Sequence, residues 1–244
     1  MRVGKAVILA AGRGLRLHPY TLHTPKPMLR LAGLPLLEHL LRGLRDQGLS
    51  QALIITGYLE AEIRAYFGRG ATLGLELFYQ RQTRTQGTGA ALLLARRFAG
   101  EEPFLSSWGD ALADPADCLN LLNTFERQPC AGLLLLEKED DPHRGAAIYL
   151  EGDRIVRLVE KPTPGTSTTC WNQSGLAIYS PALFACLEQV PLSERGELEL
   201  TAGVQALATS GEVRGLPMRH ARIHLTSPAD IPAAEAALRR MPTR

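Results

Sequence analysis

Val7-Ile8-Leu9-Ala10-Ala11-Gly12-Arg13-Gly14 is the stretch that decides the fold. An unbroken apolar run ended by glycine is what a strand buried on both faces of a parallel sheet requires. Downstream, Pro35 opens a helix with apolar positions Leu37, Leu40, Leu41 and Leu44, stopped at Gly48. Ala52–Thr56, closed by Gly57, is a second strand, and a helix near 59–67 ends at Gly68. Leu75–Tyr79 alternates as a strand, 87–99 is expected to be one helix, and Phe104-Leu105 is a short buried strand. A helix over 115–127 and a strand over 131–136 follow. Strand and helix thus alternate, which predicts a parallel sheet with helices on both faces. Further on, 146–150 and 154–159 pair around Gly152-Asp153, and 198–209 and 228–240 are helices. Ser227-Pro228-Ala229-Asp230 opens the last of these, with Ser at the N-cap and an acid at N3. The expectation is a single α/β domain over 1–244 with a Rossmann-like, mostly parallel mixed sheet, in two parts, 1–136 and 137–244.

Composition bounds the partners. With 45% apolar and 21% charged residues, the chain is of ordinary globular make-up and long enough for a sizeable core. A net charge of +2 argues against a general nucleic-acid coat protein. The charge is unevenly spread: residues 1–45 hold eight basic side chains and one acid, Glu38. Such a local excess points to a small anionic ligand, although a solvated face accounts for part of it. The four cysteines, Cys118, Cys130, Cys170 and Cys186, show no C-x-x-C spacing, so they read as reduced residues rather than a zinc clip. No apolar run has the length of a signal segment or of a membrane span, and a cytoplasmic location is expected.

The loop after the first strand carries the chemistry. It follows A-A-G-x-G-x-R-x-x-P-x-T-x-x-x-P-K-P from Ala10 to Pro27. Ligands of open α/β sheets bind at the carboxyl ends of the strands, and small residues there let backbone N–H groups approach an anion. Leu17 stands where a dinucleotide fingerprint needs its third glycine, and no Walker string occurs.

This string resembles the signature of the sugar-1-phosphate nucleotidylyltransferases, and Thr21–Pro27 is most similar to the N-acetylmuramic acid 1-phosphate uridylyltransferase branch. The resemblance implies an enzyme that joins a nucleoside triphosphate to a sugar 1-phosphate and releases pyrophosphate. It implies that 1–136 is the nucleotide-binding part and 137–244 the sugar-phosphate-binding part. The backbone at Ala11, Gly12 and Gly14 would then hold the phosphates, Arg16 would neutralise the leaving β- and γ-phosphates, and Lys26 would sit near the α-phosphate. Arg13 reads better as a solvent-exposed residue.

Further motifs follow in the family's order. Gln82, Gly87 and Thr88 resemble the base loop of uridylyl- and thymidylyltransferases, with Gly87 and Gly89 expected to present free N–H groups at a helix start. A glutamine amide both donates and accepts, which matches the edge of uracil or thymine. Gly109 and Asp110 resemble the family's Gly-Asp, whose aspartate holds Mg²⁺, the implied cofactor. Glu160 and Lys161 resemble its Glu-Lys-Pro motif, taking sugar hydroxyls and the sugar phosphate. Asn172, Gly175 and Glu199 resemble the rest of the sugar pocket; read alone, Glu197 and Glu199 are ordinary first-turn acids.

One departure stands out. The family's second metal aspartate is replaced by His224, with Arg222 where the pattern has Trp. Imidazole is a poor Mg²⁺ ligand. Either one aspartate suffices, another acid such as Asp114 or Asp230 substitutes, the metal is held differently, or the chain is a catalytically impaired nucleotide-sugar sensor. Transfer of a cytidylyl or guanylyl group to another phosphorylated small molecule is a further alternative. No nucleic-acid or membrane partner is expected, and oligomeric state stays open between monomer and homo-oligomer.

Overall fold

The computed structural model describes residues 2–240. β1 (Lys5–Ala10) leads into the signature loop and a small hairpin of β2 (Arg30–Leu31) and β3 (Leu34–Pro35). Then come α1 (Leu36–Asp46), β4 (Gln51–Thr56), α2 (Glu60–Phe67) and β5 (Glu76–Arg81). The single helix expected over 87–99 is two, α3 (Thr88–Leu93) and α4 (Arg96–Ala99). At the break, Leu94 and Ala95 donate to the carbonyls of Ala91 and Leu92, a tighter i→i−3 pattern. No glycine or proline marks that point, so the sequence gives no warning of it.

β6 (Phe104–Trp108) is longer than the two residues expected, because Ser106 and Ser107 continue it as buried polar residues. β7 (Ala111–Leu112), α5 (Pro115–Arg127) and β8 (Gly132–Lys138) follow, then the hairpin β9 (Ala146–Glu151) and β10 (Arg154–Glu160). The chain continues through β11 (Trp171–Tyr179), α6 (Ala182–Gln189), α7 (Leu200–Ser210), β12 (Val213–Pro217), β13 (Ile223–His224) and α8 (Asp230–Arg240).

Among the described residues one nine-stranded sheet has the order β5-β4-β1-β6-β11-β8-β12-β10-β9. From β5 to β6 every pairing is parallel. β11 runs against both β6 and β8, β12 runs with β8, and the β9–β10 hairpin pairs with both β11 and β12.

Strand periodicity divides the core between the two faces. Ile8, Ile54, Leu133 and Leu135 join α1, α2, α5 and α8 on one side. Val7, Ile55, Leu134 and Leu136 join α3, α6 and α7 on the other. Both faces are therefore covered by helices, and the loops at the carboxyl ends of β1, β5 and β6 are left to form a site. No helix among the described residues is long and apolar enough to cross a membrane.

Candidate active site

The signature loop is built around three of its own residues. Gly14 has φ +65°, and a Cβ there would lie 3.0 Å from Lys26 Cβ. Thr21, fully buried, donates from Oγ1 to the Gly14 carbonyl at 2.9 Å. Gly14, Thr21 and Lys26 thus interlock, which accounts for the spacing of the string. Ala11 is half-buried, and its carbonyl accepts the Tyr58 N–H at 3.3 Å. Gly12 and Arg16 are exposed, Arg16 on a single 3₁₀ turn over Leu15–Leu17. Arg13 is exposed as expected, 5.9 Å from the Tyr58 ring centre.

Lys26 is buried, and its ammonium bonds directly to Asp110 Oδ2. Asp110 follows β6, the parallel neighbour of β1, and Gly109 donates its N–H to the Leu9 carbonyl at 2.9 Å. The residue expected near the α-phosphate and the one expected at the metal are thus in contact. Burial works to raise the Asp110 carboxyl, but the His224 imidazole and the Lys26 ammonium hold it well below the usual carboxylate range.

Pairing of β7 with β13 sets His224 opposite Ala111, next to Asp110, with His224 Nε2 3.8 Å from Asp110 Oδ2. Arg222 is on the same face of β13. Its Nε lies 2.5 Å from Glu137 Oε2, its Nη1 donates to the Ser174 carbonyl, and its guanidinium stacks 5.4 Å from the Trp108 ring centre. Trp108 packs against Gly175, where φ is +89° and a Cβ would stand 2.4 Å from the indole. Burial pushes Glu137 up to about 7, against the pull of Arg222.

The other two acids named as substitutes are engaged elsewhere. Asp114 caps α5 by accepting the Ala116 N–H at 2.8 Å. Asp230 Oδ2 accepts from Thr226 Oγ1 at 2.7 Å and from the N–H groups of Thr226 and Ser227, at 2.6 and 2.7 Å, as a helix-start acid. These bonds hold Asp230 down at about 2.

At the base loop, Gln82 Nε2 donates to the Gly87 carbonyl at 3.1 Å, leaving its Oε1 to accept. Gly87 has φ +96°, and a Cβ would lie 2.4 Å from the Leu198 carbonyl. The expectation of a free Gly89 N–H is corrected: it donates to Leu198 O at 2.9 Å, because this loop is docked on the 198 segment. Thr88 Oγ1 accepts the Leu200 N–H at 3.3 Å in the same junction.

The acid cluster shares that segment. Thr201 Oγ1 donates to Glu160 Oε2 at 2.5 Å. Glu199, buried, accepts from Arg195 Nη2 at 2.6 Å and Ser193 Oγ at 3.2 Å. Lys161 is exposed with φ +43°, an uncommon conformation for a side-chain-bearing residue, fixed by its N–H bond to Gly145 O at 2.7 Å. Asn172 is buried, and its Oδ1 accepts the Ala146 N–H at 2.9 Å. Sequence reasoning did not name Arg195 for this cluster, and Thr201 entered it only as the last position of the Glu197–Thr201 motif; Arg195 precedes α7, so no helical spacing pointed to it. It also gave Trp108 and Glu137 no part.

Residues 5–221 match the nucleotidyl transferase family. The chain belongs to that family. The chain is 32% identical over 210 residues to the glucose-1-phosphate thymidylyltransferase of Streptomyces antibioticus, covering 85% of this chain and 58% of that one. It is 30% identical over 232 residues to the bifunctional protein GlmU of Methanococcus maripaludis, covering 95% of this chain and 53% of that one. The chain thus spans little more than half the length of these curated relatives. Among solved structures, a Bacillus anthracis chain provisionally assigned as a glucose-1-phosphate thymidylyltransferase, in complex with sucrose, superposes with TM-score 0.87 at 26% identity, covering 98% and 97% of the two chains. A UDP-glucose pyrophosphorylase complexed with UDP-glucose shares the fold with TM-score 0.88 at 22% identity, covering 98% and 99%.

Proposed function

We propose that this chain transfers a nucleoside monophosphate, from UTP or dTTP in preference to other triphosphates, to a sugar 1-phosphate, with release of pyrophosphate. The observation that carries this reading is the direct Lys26–Asp110 contact, at the carboxyl ends of two adjacent parallel strands. A glycine-rich basic loop stands on one side of that pair, and the Glu160, Lys161 and Asn172 group belongs to the following strands. Residues 1–136 would hold the nucleotide and 137–244 the sugar phosphate.

The acceptor needs no general base, since a sugar phosphate with second pKa near about 6 is largely dianionic at neutral pH. Its oxygen forms a new bond to the α-phosphorus as the bond to the pyrophosphate oxygen breaks. The protein's work is positioning and charge. Backbone N–H groups at Ala11, Gly12 and Gly14 approach the triphosphate, Arg16 meets the β- and γ-phosphates, and Lys26 turns from Asp110 to the α-phosphate. Gln82 Oε1 accepts the N3–H of a uracil or thymine, with Gly87 and Thr88 shaping that pocket. Lys161 holds the sugar phosphate, while Glu160, Asn172, Gly109, Gly175 and Glu199 line the sugar. Asp110 offers the hard carboxylate oxygen that Mg²⁺ takes along with phosphate oxygens, so the residues present fit that ion. Mg²⁺, when bound there, would screen the triphosphate and favour departure of pyrophosphate.

The test begins with thermal unfolding in UTP, dTTP, CTP, GTP and ATP, with and without Mg²⁺. A nucleotide at about 100 times its Kd adds roughly 2.7 kcal/mol. Pyrophosphate release is then followed over a panel of sugar 1-phosphates. A pyrimidine nucleotide that stabilises the protein and yields pyrophosphate supports the reading. Stabilisation by no nucleotide overturns it. Tight binding with no turnover on any acceptor would favour the sensor reading that the replacement by His224 motivates.

A further inference from the structure

His224 supplies a nitrogen where the family pattern has a carboxylate, and the structure directs that nitrogen at Asp110. The 3.8 Å between His224 Nε2 and Asp110 Oδ2 is too long for a hydrogen bond. It is close to the separation of two donors on one cation. With donor–ion lengths near about 2.1 Å, the two atoms stand about 3.0 Å apart at a right angle and about 3.4 Å at a tetrahedral angle. A shift of about 0.4 Å brings the pair to the tetrahedral separation, and about 0.8 Å to the right-angle one.

Two features fix the imidazole's direction. The β7–β13 register places it beside Ala111, and Arg222, two residues earlier on the same face, is anchored to Glu137 and Ser174. Ile223 between them is buried on the opposite face. Among the described residues no side chain stands within hydrogen-bond distance of the His224 ring. The ring lines, with Glu137, Lys138, Trp171, His220 and Arg222, a cavity of about 710 Å³.

We propose that Asp110 and His224 together form a mixed carboxylate–imidazole site that takes Co²⁺ or Mn²⁺ in preference to Mg²⁺. The inference rests on the nucleotidyl-transfer reading, because triphosphate oxygens complete the coordination. Mg²⁺ gains from Asp110 alone, since it takes oxygen and rejects imidazole. First-row ions gain from both residues, with affinity rising from Mn²⁺ to Co²⁺.

The test reads the ligand atom directly. The protein is loaded with Mn²⁺ and the α,β-methylene analogue of UTP or of dTTP, and the spin-echo modulation of bound Mn²⁺ is recorded. Nitrogen modulation is expected, and it should change frequency when the protein is labelled with ¹⁵N-histidine. It should persist in His220→Gln, the other imidazole of the cavity, and vanish in His224→Asp. Competition calorimetry should give Mn²⁺ at least about tenfold tighter than Mg²⁺, with Co²⁺ tighter still. The Mn²⁺/Mg²⁺ ratio should fall toward unity in His224→Asp. Should that variant misfold, the isotope shift in the unsubstituted protein and the His220→Gln control still decide the matter. Bound Mn²⁺ without nitrogen modulation, or Mg²⁺ held as tightly as Mn²⁺, overturns the proposal and leaves nucleotidyl transfer standing. Failure of both analogues to bind overturns the transfer reading and this one with it.

Discussion

Asp110 stands between the Lys26 ammonium and the His224 imidazole, which hold its carboxyl below the usual carboxylate range. Replacing it by Asn keeps the shape and removes the charge. Asp110→Asn is expected to lower turnover by about 10² to 10³-fold, the usual cost of one lost electrostatic contact in a transition state. Its thermal midpoint should fall, because the buried Lys26 ammonium loses its partner, while an unchanged circular dichroism spectrum shows that the fold persists; steady-state pyrophosphate release on the same preparation reads the turnover. Asp230 makes a different prediction. Its hydrogen bonds at the start of α8 bring it from 3.8 to about 2. A carboxylate depressed on folding contributes stability that is present above about pH 4 and lost as pH falls toward about 2. Asp230→Asn should therefore flatten the acid limb of the denaturant-midpoint profile and leave kinetics at neutral pH unchanged. At this scale the sequence was legible where spacing is dictated by contact: Gly14, Thr21 and Lys26 touch, so their intervals are fixed. It was silent where a partner comes from a loop without a motif, as when Arg195 takes up Glu199.

Elements differ in how much of themselves they reveal. β1, β4 and β8 announce themselves by unbroken apolar runs, because both their faces are covered. β12 does not: Val213-Arg214-Gly215-Leu216-Pro217 is short and carries both glycine and proline, yet its register on β8 is continuous from Val213 to Pro217. There, tertiary pairing overrides local preference. The break between α3 and α4 was equally hidden. Leu135, fully buried in β8, tests the core. Leu135→Ala should cost about 2–5 kcal/mol, read as a lower urea midpoint at constant slope. Gly87→Ala tests the loop proposed to hold the base: at φ +96°, with a Cβ only 2.4 Å from Leu198 O, the loop must lift from the segment that precedes α7. The expected result is a nucleotide KM raised by about tenfold or more, with a strain cost of about 1–3 kcal/mol. An unchanged KM with full stability would show that the loop's docking is irrelevant to the nucleotide.

At the scale of the whole molecule, alternation of strand and helix foretold the two-faced sheet, and the comparisons agree over nearly its full length. What alternation does not encode is how distant loops lean on one another, since those contacts join residues from about forty to more than a hundred positions apart. The segment from Leu198 to Thr201 is the clearest case. Leu198 receives the base loop through Gln86 and Gly89, Leu200 donates to Thr88, and Thr201 holds Glu160 of the acid cluster. On the proposed function, the surface that would select the base and the surface that would select the acceptor are mounted on one short strut. They are not separable modules. Anyone seeking to redesign this protein for a new donor by grafting residues 82–89 alone should find acceptor choice altered as well. A faithful exchange would have to carry 193–201 along with that loop, as a single interchangeable part.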